Sequence, residues 1–180
     1  MKIFGIVGFS GVGKSTVAKI LEQRGFFYIN LDEIVHKLYE PNALGTQKIE
    51  AFFGPDFLQK DGAVNRKKLR KTVFNNEQKL RILEMFIHPL VLHEVKEILN
   101  QIKNDLVCIE ITVYRRDAKI NDLISKWILV KNSRANLGTE NLHQFHSDLE
   151  FLKPDFVVEN EGEINDIEES MKKIVLLSSV

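Results

Sequence analysis

The segment that decides the fold of this 180-residue chain is Gly8-Phe9-Ser10-Gly11-Val12-Gly13-Lys14-Ser15, which matches the pattern G-x-x-x-x-G-K-[ST] at every fixed position. An apolar run, Ile3–Val7, precedes it, and a segment of helical composition, Lys14–Glu22, continues from its end. The pattern alone can arise by chance, but a strand before it and a helix after it are the context of a phosphate-binding loop. The sequence therefore predicts such a loop between the first strand and the first helix.

The residue types in the loop suit a nucleoside triphosphate. Glycines let the backbone wrap closely around phosphate oxygens, and the first amides of the helix face the anion with the positive end of the helix dipole. Lys14 adds a full charge near the β- and γ-phosphates, and the Ser15 hydroxyl is a ligand for Mg²⁺. A bare glycine turn would gain nothing from this Lys-Ser pair. The expected nucleotide-binding residues are Gly8, Ser10, Gly11, Val12, Gly13, Lys14, Ser15 and Thr16, with Lys14 also assigned to catalysis and Ser15 to the metal.

Outside the loop, strand and helix patterns alternate. Short apolar runs typical of buried strands are Ile3–Val7, Phe26–Ile29, Leu106–Ile109, Trp127–Val130 and Phe156–Val158. Helical stretches separate them, and the last of these closes the chain. The alternation predicts an α/β fold with a five-stranded parallel sheet flanked by helices.

The middle of the chain has a different pattern. Between Gly45 and Asn104 only helical patterns are found, the last of them over Glu77–Asn100. Pro89 is expected to bend or break that helix near His88. The sequence therefore predicts one domain, with a core of residues 1–40 and 105–180 and a helical insertion at about 41–104.

Composition excludes several classes of protein. Lys plus Arg and Asp plus Glu are 25 each, and this zero net charge argues against an electrostatic nucleic-acid binder. No apolar run approaches the roughly 20 residues of a membrane span. The single cysteine, Cys108, cannot form an internal disulfide, so a cytoplasmic setting is expected, with no membrane and no evident protein partner. The switch and base-reading motifs of regulatory GTPases are absent, which favours a kinase of a small metabolite.

A carboxylate follows the second strand. Asp32 comes just beyond it, at the sheet edge where ligands of open α/β sheets bind. There it can accept the proton of a hydroxyl that attacks the γ-phosphate, or it can only cap the next helix, a contribution of about 1 kcal/mol. Position alone does not separate these interpretations. His36 shares a helix face with Asp32 and is either a substrate contact or an ordinary surface or packed histidine.

Several segments, in order, resemble the dephospho-coenzyme A kinase family. After the loop, Ile29-Asn30-Leu31-Asp32-Glu33-Ile34-Val35-His36 stands where the family usually reads Ile-Asp-Ala-Asp-x-Ile-Ala-His. Residues 61–70 are close to the family's Asp-Gly-x-Leu-Asp-Arg-x-x-Leu-Arg, and His88-Pro89-Leu90 continues the match. The resemblance is specific from Gly8 to about Val91, roughly half of the chain.

This resemblance implies the three-layer P-loop fold of nucleotide kinases with a helical acceptor-binding insertion. It also implies phosphorylation of the ribose 3′-hydroxyl of dephospho-coenzyme A, with ATP and Mg²⁺ as cofactors. Carried across, Asp32 is the catalytic base. The acceptor contacts that it implies are Asp32, His36, Arg66, Arg70 and His88. Arg66 and His88 either hold the acceptor or organise the insertion.

The second half departs from the family pattern. Thr112-Val113-Tyr114-Arg115-Arg116 replaces the family's Pro-Leu-Leu-Phe-Glu, and the arginine-bearing lid is shortened to about residues 131–144, with Arg134 as its remaining arginine. Arg115 and Arg116 are candidate substitutes. Two alternatives to an efficient kinase follow: a nucleotide-binding relative with little catalysis, and a small-metabolite or nucleotide kinase with another acceptor.

Three further positions carry open interpretations. Glu110 ends the third strand and either acts on Mg²⁺ through water or has no role. Asn30 replaces a family aspartate, which keeps hydrogen-bonding capacity but removes a charge. His143 and His146, with Asp148 nearby, form a candidate metal site.

Overall fold

The structure is a computed structural model that describes residues 1–74, 76–132, 147–161 and 164–178. The chain divides into two compact units, a first unit of Met1–Leu31 with Ile102–Val180 and a second unit of Asp32–Gln101. In chain order the described helices and strands are β1 (Lys2–Val7), α1 (Lys14–Gln23), β2 (Phe27–Asn30), α2 (Leu31–Leu38), α3 (Leu44–Phe53), α4 (Arg66–Phe74), α5 (Glu77–Gln101), β3 (Leu106–Glu110), β4 (Lys126–Lys131), β5 (Phe156–Glu159) and α6 (Ile164–Ser178).

The first unit is built on one sheet. Across the described residues, five strands pair in parallel in the order β2-β3-β1-β4-β5. All residues of β1 after Lys2 are buried, as expected for the central strand of a sheet covered on both faces. Helices α1 and α6 pack against the sheet and against each other. The predicted five-stranded parallel sheet flanked by helices is therefore confirmed.

The core of the first unit lies between the sheet and these two helices. Its fully buried side chains come from β1, α1, β4 and α6 and include Phe4, Ile6, Leu21, Ile128, Met171 and Ile174. This packing explains why the apolar runs were visible in the sequence, because each strand contributes side chains to a dry interior.

One glycine of β1 makes room for an aromatic pair. An ideal Cβ on Gly5 would lie 2.5 Å from Cζ3 of Trp127, so a larger residue there would displace the indole. Tyr114 packs edge-on against Trp127, with ring centroids 5.3 Å apart. The segment 112–116, where the chain departs from the family pattern, is therefore anchored at the sheet by Tyr114.

The second unit is helical, from the body of α2 through α5. An aromatic cluster joins α3 to α5, with Phe52 stacked on Phe86 at 5.3 Å and Phe53 edge-on to the same ring at 6.4 Å. Helix α4 packs against α5 through the buried side chains of Leu69 and Val73.

The structure decides between alternatives that the sequence left open at Pro89 and at Asp32. Helix α5 continues through Pro89 and does not break there. Proline removes one backbone hydrogen bond and crowds the preceding turn, but Phe86, Ile87 and Val91 are buried on either side of it, so tertiary packing carries the helix through. Asp32 is not a helix cap, because α2 begins at Leu31 and leaves Asp32 inside its first turn, where a negative charge favours the helix dipole.

Among the described residues, no helix combines the length and the apolar character that crossing a bilayer requires.

Candidate active site

The loop between β1 and α1 depends on glycine for its shape. Gly8, Gly11 and Gly13 have φ values of 153°, 79° and 95°, which side chains rarely tolerate. A Cβ on Gly8 would collide with the carbonyl oxygen of Val130, and one on Gly13 would collide with the side-chain amide of Asn160. Two of the three glycines are therefore required both by the backbone conformation and by close approach.

The start of α1 is suited to an anion. Gly13 is its N-cap residue in a left-handed conformation, so it offers the helix no capping side chain, and the first turn carries no acidic residue. Amide groups at a helix start attract anions through their N–H bonds and through the helix dipole. The loop and the helix start thus form the kind of concave, amide-lined surface that holds phosphate.

Lys14 lies inside the loop. Its side chain is only 6% exposed, and its Nζ donates to the carbonyl oxygens of Gly8 at 3.1 Å and Phe9 at 3.0 Å. A buried ammonium is costly unless hydrogen bonds or opposite charge compensate it. The two carbonyls hold the cation where the sequence pattern expects it to meet the β- and γ-phosphates.

Ser15 is tied to the end of β3. Its Oγ donates to Oε1 of Glu110 at 2.8 Å, and Glu110 is 5% exposed. The strand register brings the two together, because Glu110 pairs with Ile6 of β1, two residues before the loop. A hydroxyl that donates a hydrogen bond to a carboxylate keeps its oxygen lone pairs for a metal ion.

The second oxygen of Glu110 is held from β2. The hydroxyl of Tyr28 donates to Oε2 of Glu110, and the side-chain amide of Asn30 donates to the Tyr28 hydroxyl at 3.1 Å and to Oε2 at 3.5 Å. Tyr28 and Asn30 are two residues apart on one strand and so share a face of the sheet. Sequence reasoning missed Tyr28, although two polar residues at period two in an apolar strand were a usable signal.

Asn160, directly after β5, braces the loop from the other side. Its side-chain amide donates to the carbonyl oxygen of Val12 at 2.9 Å, and its backbone amide donates to Lys131 at 2.8 Å. Sequence analysis assigned it no role. A polar residue immediately after a strand, at the carboxyl edge of the sheet, was the signal that could have found it.

Cys108 lies in β3 beneath this cluster. It is fully buried, and burial raises the pKa of its thiol to about 12, with the carboxylates of Glu22 and Glu110 acting in the same direction. A protonated, inaccessible thiol is neither a nucleophile nor a metal ligand. Cys108 is therefore an inert, buried thiol in this environment.

The acceptor candidates all belong to the second unit and are exposed. Asp32 and His36 lie one turn apart on α2, Arg66 and Arg70 one turn apart on α4, and His88 on α5. The guanidinium of Arg70 lies 5.0 Å from the ring centroid of Phe74, which positions it by a cation–π contact.

Arg66 also acts on a buried tyrosine of the second unit. Burial raises the pKa of Tyr39 to about 12, and the charge of Arg66 opposes this rise.

Several expected residues fall outside the described part of the chain. These are Arg134, His143 and His146, together with most of the expected lid at 131–144. Asp148 is described, and its carboxylate accepts the backbone amide of Arg116 at 2.9 Å. Across the described residues no group of three metal-ligating side chains is found.

Arg116 is engaged with the turn that follows the expected lid. Its guanidinium lies 5.5 Å from the ring centroid of Phe151, while its carbonyl oxygen and that of Arg115 accept from the side chain of Asn121. A catalytic role for either arginine stays a prediction.

Comparison with known proteins identifies the family. The family model described as dephospho-CoA kinase matches residues 2–137. A dephospho-CoA kinase of Leptospira interrogans is 30% identical over 96% of this chain and 90% of its own length. One from Carboxydothermus hydrogenoformans is 33% identical over 72% of this chain, a match that spans 64% of that relative.

A solved structure supports the same assignment. The dephospho-CoA kinase from Campylobacter jejuni superimposes with a TM-score of 0.71 and 29% identity, over 99% of this chain and 98% of that one. The sheet, the loop and the sequence matches agree, and this chain belongs to the dephospho-CoA kinase family.

Proposed function

We propose that this chain transfers the γ-phosphoryl group of ATP to the ribose 3′-hydroxyl of dephospho-coenzyme A. The observation that carries the proposal is the loop of the first unit, where Lys14 is buried among loop carbonyls and the Ser15 hydroxyl is held by Glu110. Family membership supplies the acceptor, because the relatives named above are dephospho-CoA kinases.

The loop suits a magnesium-bound triphosphate. The left-handed glycines, the helix start without a capping side chain and the buried Lys14 match a polyanion in shape and charge. Ser15 would ligate Mg²⁺, and Glu110 would act on it through water, as the sequence allowed. Mg²⁺ supplies charge neutralisation of the phosphate oxygens during phosphoryl transfer.

Asp32 is assigned as the base. It follows Asn30 by two residues, so the two α-carbons are at most about 7.6 Å apart by chain geometry. In the proposed step the 3′-oxygen forms a bond to the γ-phosphorus, the bond from that phosphorus to the bridging oxygen breaks, and ADP leaves. The carboxylate of Asp32 accepts the hydroxyl proton.

The cations of α4 are assigned to the acceptor. Dephospho-coenzyme A carries a pyrophosphate, and Arg66 and Arg70 are exposed on the helix that the family motif 61–70 encodes. His36 and His88 are assigned beside them. A purely organising role for Arg66 and His88 remains the alternative, and the variants below distinguish the two. A cytoplasmic setting with free thiols is part of the proposal, since it suits the unpaired Cys108.

The test is a coupled assay of ADP release with ATP, Mg²⁺ and dephospho-coenzyme A, followed by mass spectrometry of the product. We expect stoichiometric ADP and coenzyme A carrying a 3′-phosphate. Nucleotide binding by calorimetry without turnover would indicate a relative that binds but does not catalyse. Turnover with another hydroxyl acceptor, such as a nucleoside monophosphate, in preference to dephospho-coenzyme A would overturn the acceptor assignment.

A further inference from the structure

We propose that Tyr28 is a positioning residue of the metal site, acting through Glu110 on the hydroxyl of Ser15. The inference rests on the proposed function only in so far as the loop binds a magnesium-nucleotide complex. Tyr28 lies between the two family motifs quoted first, the loop at residues 8–16 and the segment that begins at Ile29, so neither motif assigns it a role.

The hydrogen bonds around Tyr28 run in one direction. The Asn30 Nδ2 group can only donate, so the Tyr28 oxygen accepts from it at 3.1 Å. The Tyr28 hydroxyl can then donate its own hydrogen bond, and Oε2 of Glu110 accepts it. Asn30, Tyr28 and Glu110 therefore form a chain of donors that ends on one carboxylate oxygen.

This chain leaves the other carboxylate oxygen for Ser15. With Oε2 held by residues of β2, Oε1 accepts a hydrogen bond from the Ser15 hydroxyl, with 2.8 Å between the two oxygens. The terminal torsion of a glutamate has broad minima, so a carboxylate held at one oxygen only can swing away. Fixing both oxygens of Glu110 thus fixes the direction in which the Ser15 lone pairs are presented.

Tyrosine suits this task because its ring is anchored. The side chain packs against the hydrophobic core of the first unit while its hydroxyl reaches Glu110 at the end of β3. An aromatic side chain has only two side-chain torsions, so a packed ring places the hydroxyl firmly. Phenylalanine would preserve the packing and remove the hydrogen bond alone.

The test measures metal binding directly. Mn²⁺, which reports on Mg²⁺ sites by electron paramagnetic resonance, is titrated into the full-length protein with saturating ADP. We expect Tyr28→Phe to weaken Mn²⁺ binding about 10-fold, the lower end of the range for residues that orient metal ligands. The affinity for ADP in EDTA should stay at the value of the unsubstituted protein.

Tyr114→Phe is the matched control. It removes a tyrosine hydroxyl from the same unit, at a ring that packs on Trp127, and the charged neighbours of that hydroxyl are Asp148 and Arg116. It should leave Mn²⁺ binding unchanged. Equal losses in Tyr28→Phe and Tyr114→Phe would indicate general loosening of the unit and would overturn the proposal.

A double variant tests whether Tyr28 acts through Glu110. Glu110→Gln should weaken Mn²⁺ binding by itself, and adding Tyr28→Phe to it should cause no further loss if the two lie on one path. Additive losses, or unchanged Mn²⁺ binding in Tyr28→Phe, would overturn the inference. Because ADP and Mn²⁺ need no acceptor, a protein that binds them normally but fails to phosphorylate dephospho-coenzyme A would refute the proposed function alone.

Discussion

The phosphate side and the acceptor side of this chain are organised in different ways. On the phosphate side, Ser15, Tyr28 and Asn160 are each hydrogen-bonded to partners 82 to 148 residues away in sequence. On the acceptor side, three of the candidate contacts stand exposed on two helices, Arg66 and Arg70 on α4 and His88 on α5. The phosphate site is therefore a set of side chains held by hydrogen bonds that the sheet brings together, whereas the acceptor candidates are exposed on their helices.

This difference separates the expected effects of substitution. A change on the phosphate side should disturb nucleotide or metal binding and, where packing is tight, stability as well. A change at an exposed arginine of the acceptor side should alter the KM for dephospho-coenzyme A and little else, because exposed side chains contribute little to folding. Asp32 differs from these arginines because it is assigned to the chemical step.

Lys14→Ala should have the largest effect. It removes the buried cation of the loop, and we expect kcat/KM to fall by at least about 10⁴-fold with nucleotide binding weakened as well. Lys19→Ala, an exposed lysine of the same helix, is the control and should behave as the unsubstituted protein. Normal turnover of Lys14→Ala in the ADP-release assay would remove the loop from the mechanism.

Asp32→Asn should separate chemistry from binding. Asparagine keeps the size but cannot accept the proton, so kcat should fall by about 10²–10⁴-fold. Calorimetry should give the same affinity for ATP. The neighbouring exposed carboxylate serves as the control through Glu33→Gln. An unchanged kcat for Asp32→Asn would exclude Asp32 as the base.

Paired glycine substitutions test how tightly the loop is packed. Gly11→Ala meets open space and costs only the left-handed strain, about 1 kcal/mol, whereas Gly13→Ala also collides with Asn160 and should cost more. Gly13→Ala should therefore lower the thermal midpoint more than Gly11→Ala does, by about 2–4 °C for each kcal/mol of lost stability.

Shortening the Asn160 side chain should restore part of the stability that Gly13→Ala loses. In an Asn160→Ala background the added penalty of Gly13→Ala should shrink, and Asn160→Ala alone should raise the KM for ATP because Val12 loses its brace. Equal midpoints for Gly11→Ala and Gly13→Ala would show that the loop is not held by Asn160.

Arg70→Ala should weaken the binding of dephospho-coenzyme A without affecting the binding of ATP. Loss of one cation should raise the KM for dephospho-coenzyme A about 10-fold, equivalent to about 1.4 kcal/mol, and leave the KM for ATP unchanged. Arg81→Ala is the control, since Arg81 is exposed and paired with Glu77 on α5. If Arg66→Ala and His88→Ala instead lower the thermal midpoint without altering that KM, these two residues organise the second unit.

The sequence predicted what is encoded locally. The strand runs, the helix after the loop and the order Gly13-Lys14-Ser15 depend on neighbouring residues, and the structure confirms the sheet they imply. Local pattern could have marked Tyr28 and Asn160 as polar residues at the edge of the sheet, but it could not supply their partners, which are set by strand register far along the chain. Whether Pro89 would break α5 could not be decided from the sequence for the same reason, since burial on both sides of it is a tertiary property.

The smallest expected effect concerns Cys108, and it tests whether the sheet beneath the phosphate site is as rigid as its hydrogen bonds imply. Burial raises the pKa of this thiol to about 12, so at pH 8 only about one molecule in 10⁴ carries the reactive thiolate. Because the folded-state pKa lies above its ordinary value, the native thiol stays protonated until the pH nears 12, and the unfolded chain ionises earlier. Iodoacetamide at pH 8 should therefore label Cys108 only at the rate of global unfolding, and bound ATP with Mg²⁺ should slow that rate further. Rapid labelling under native conditions would show that β3 opens locally, and the phosphate side would then be no more preorganised than the acceptor side.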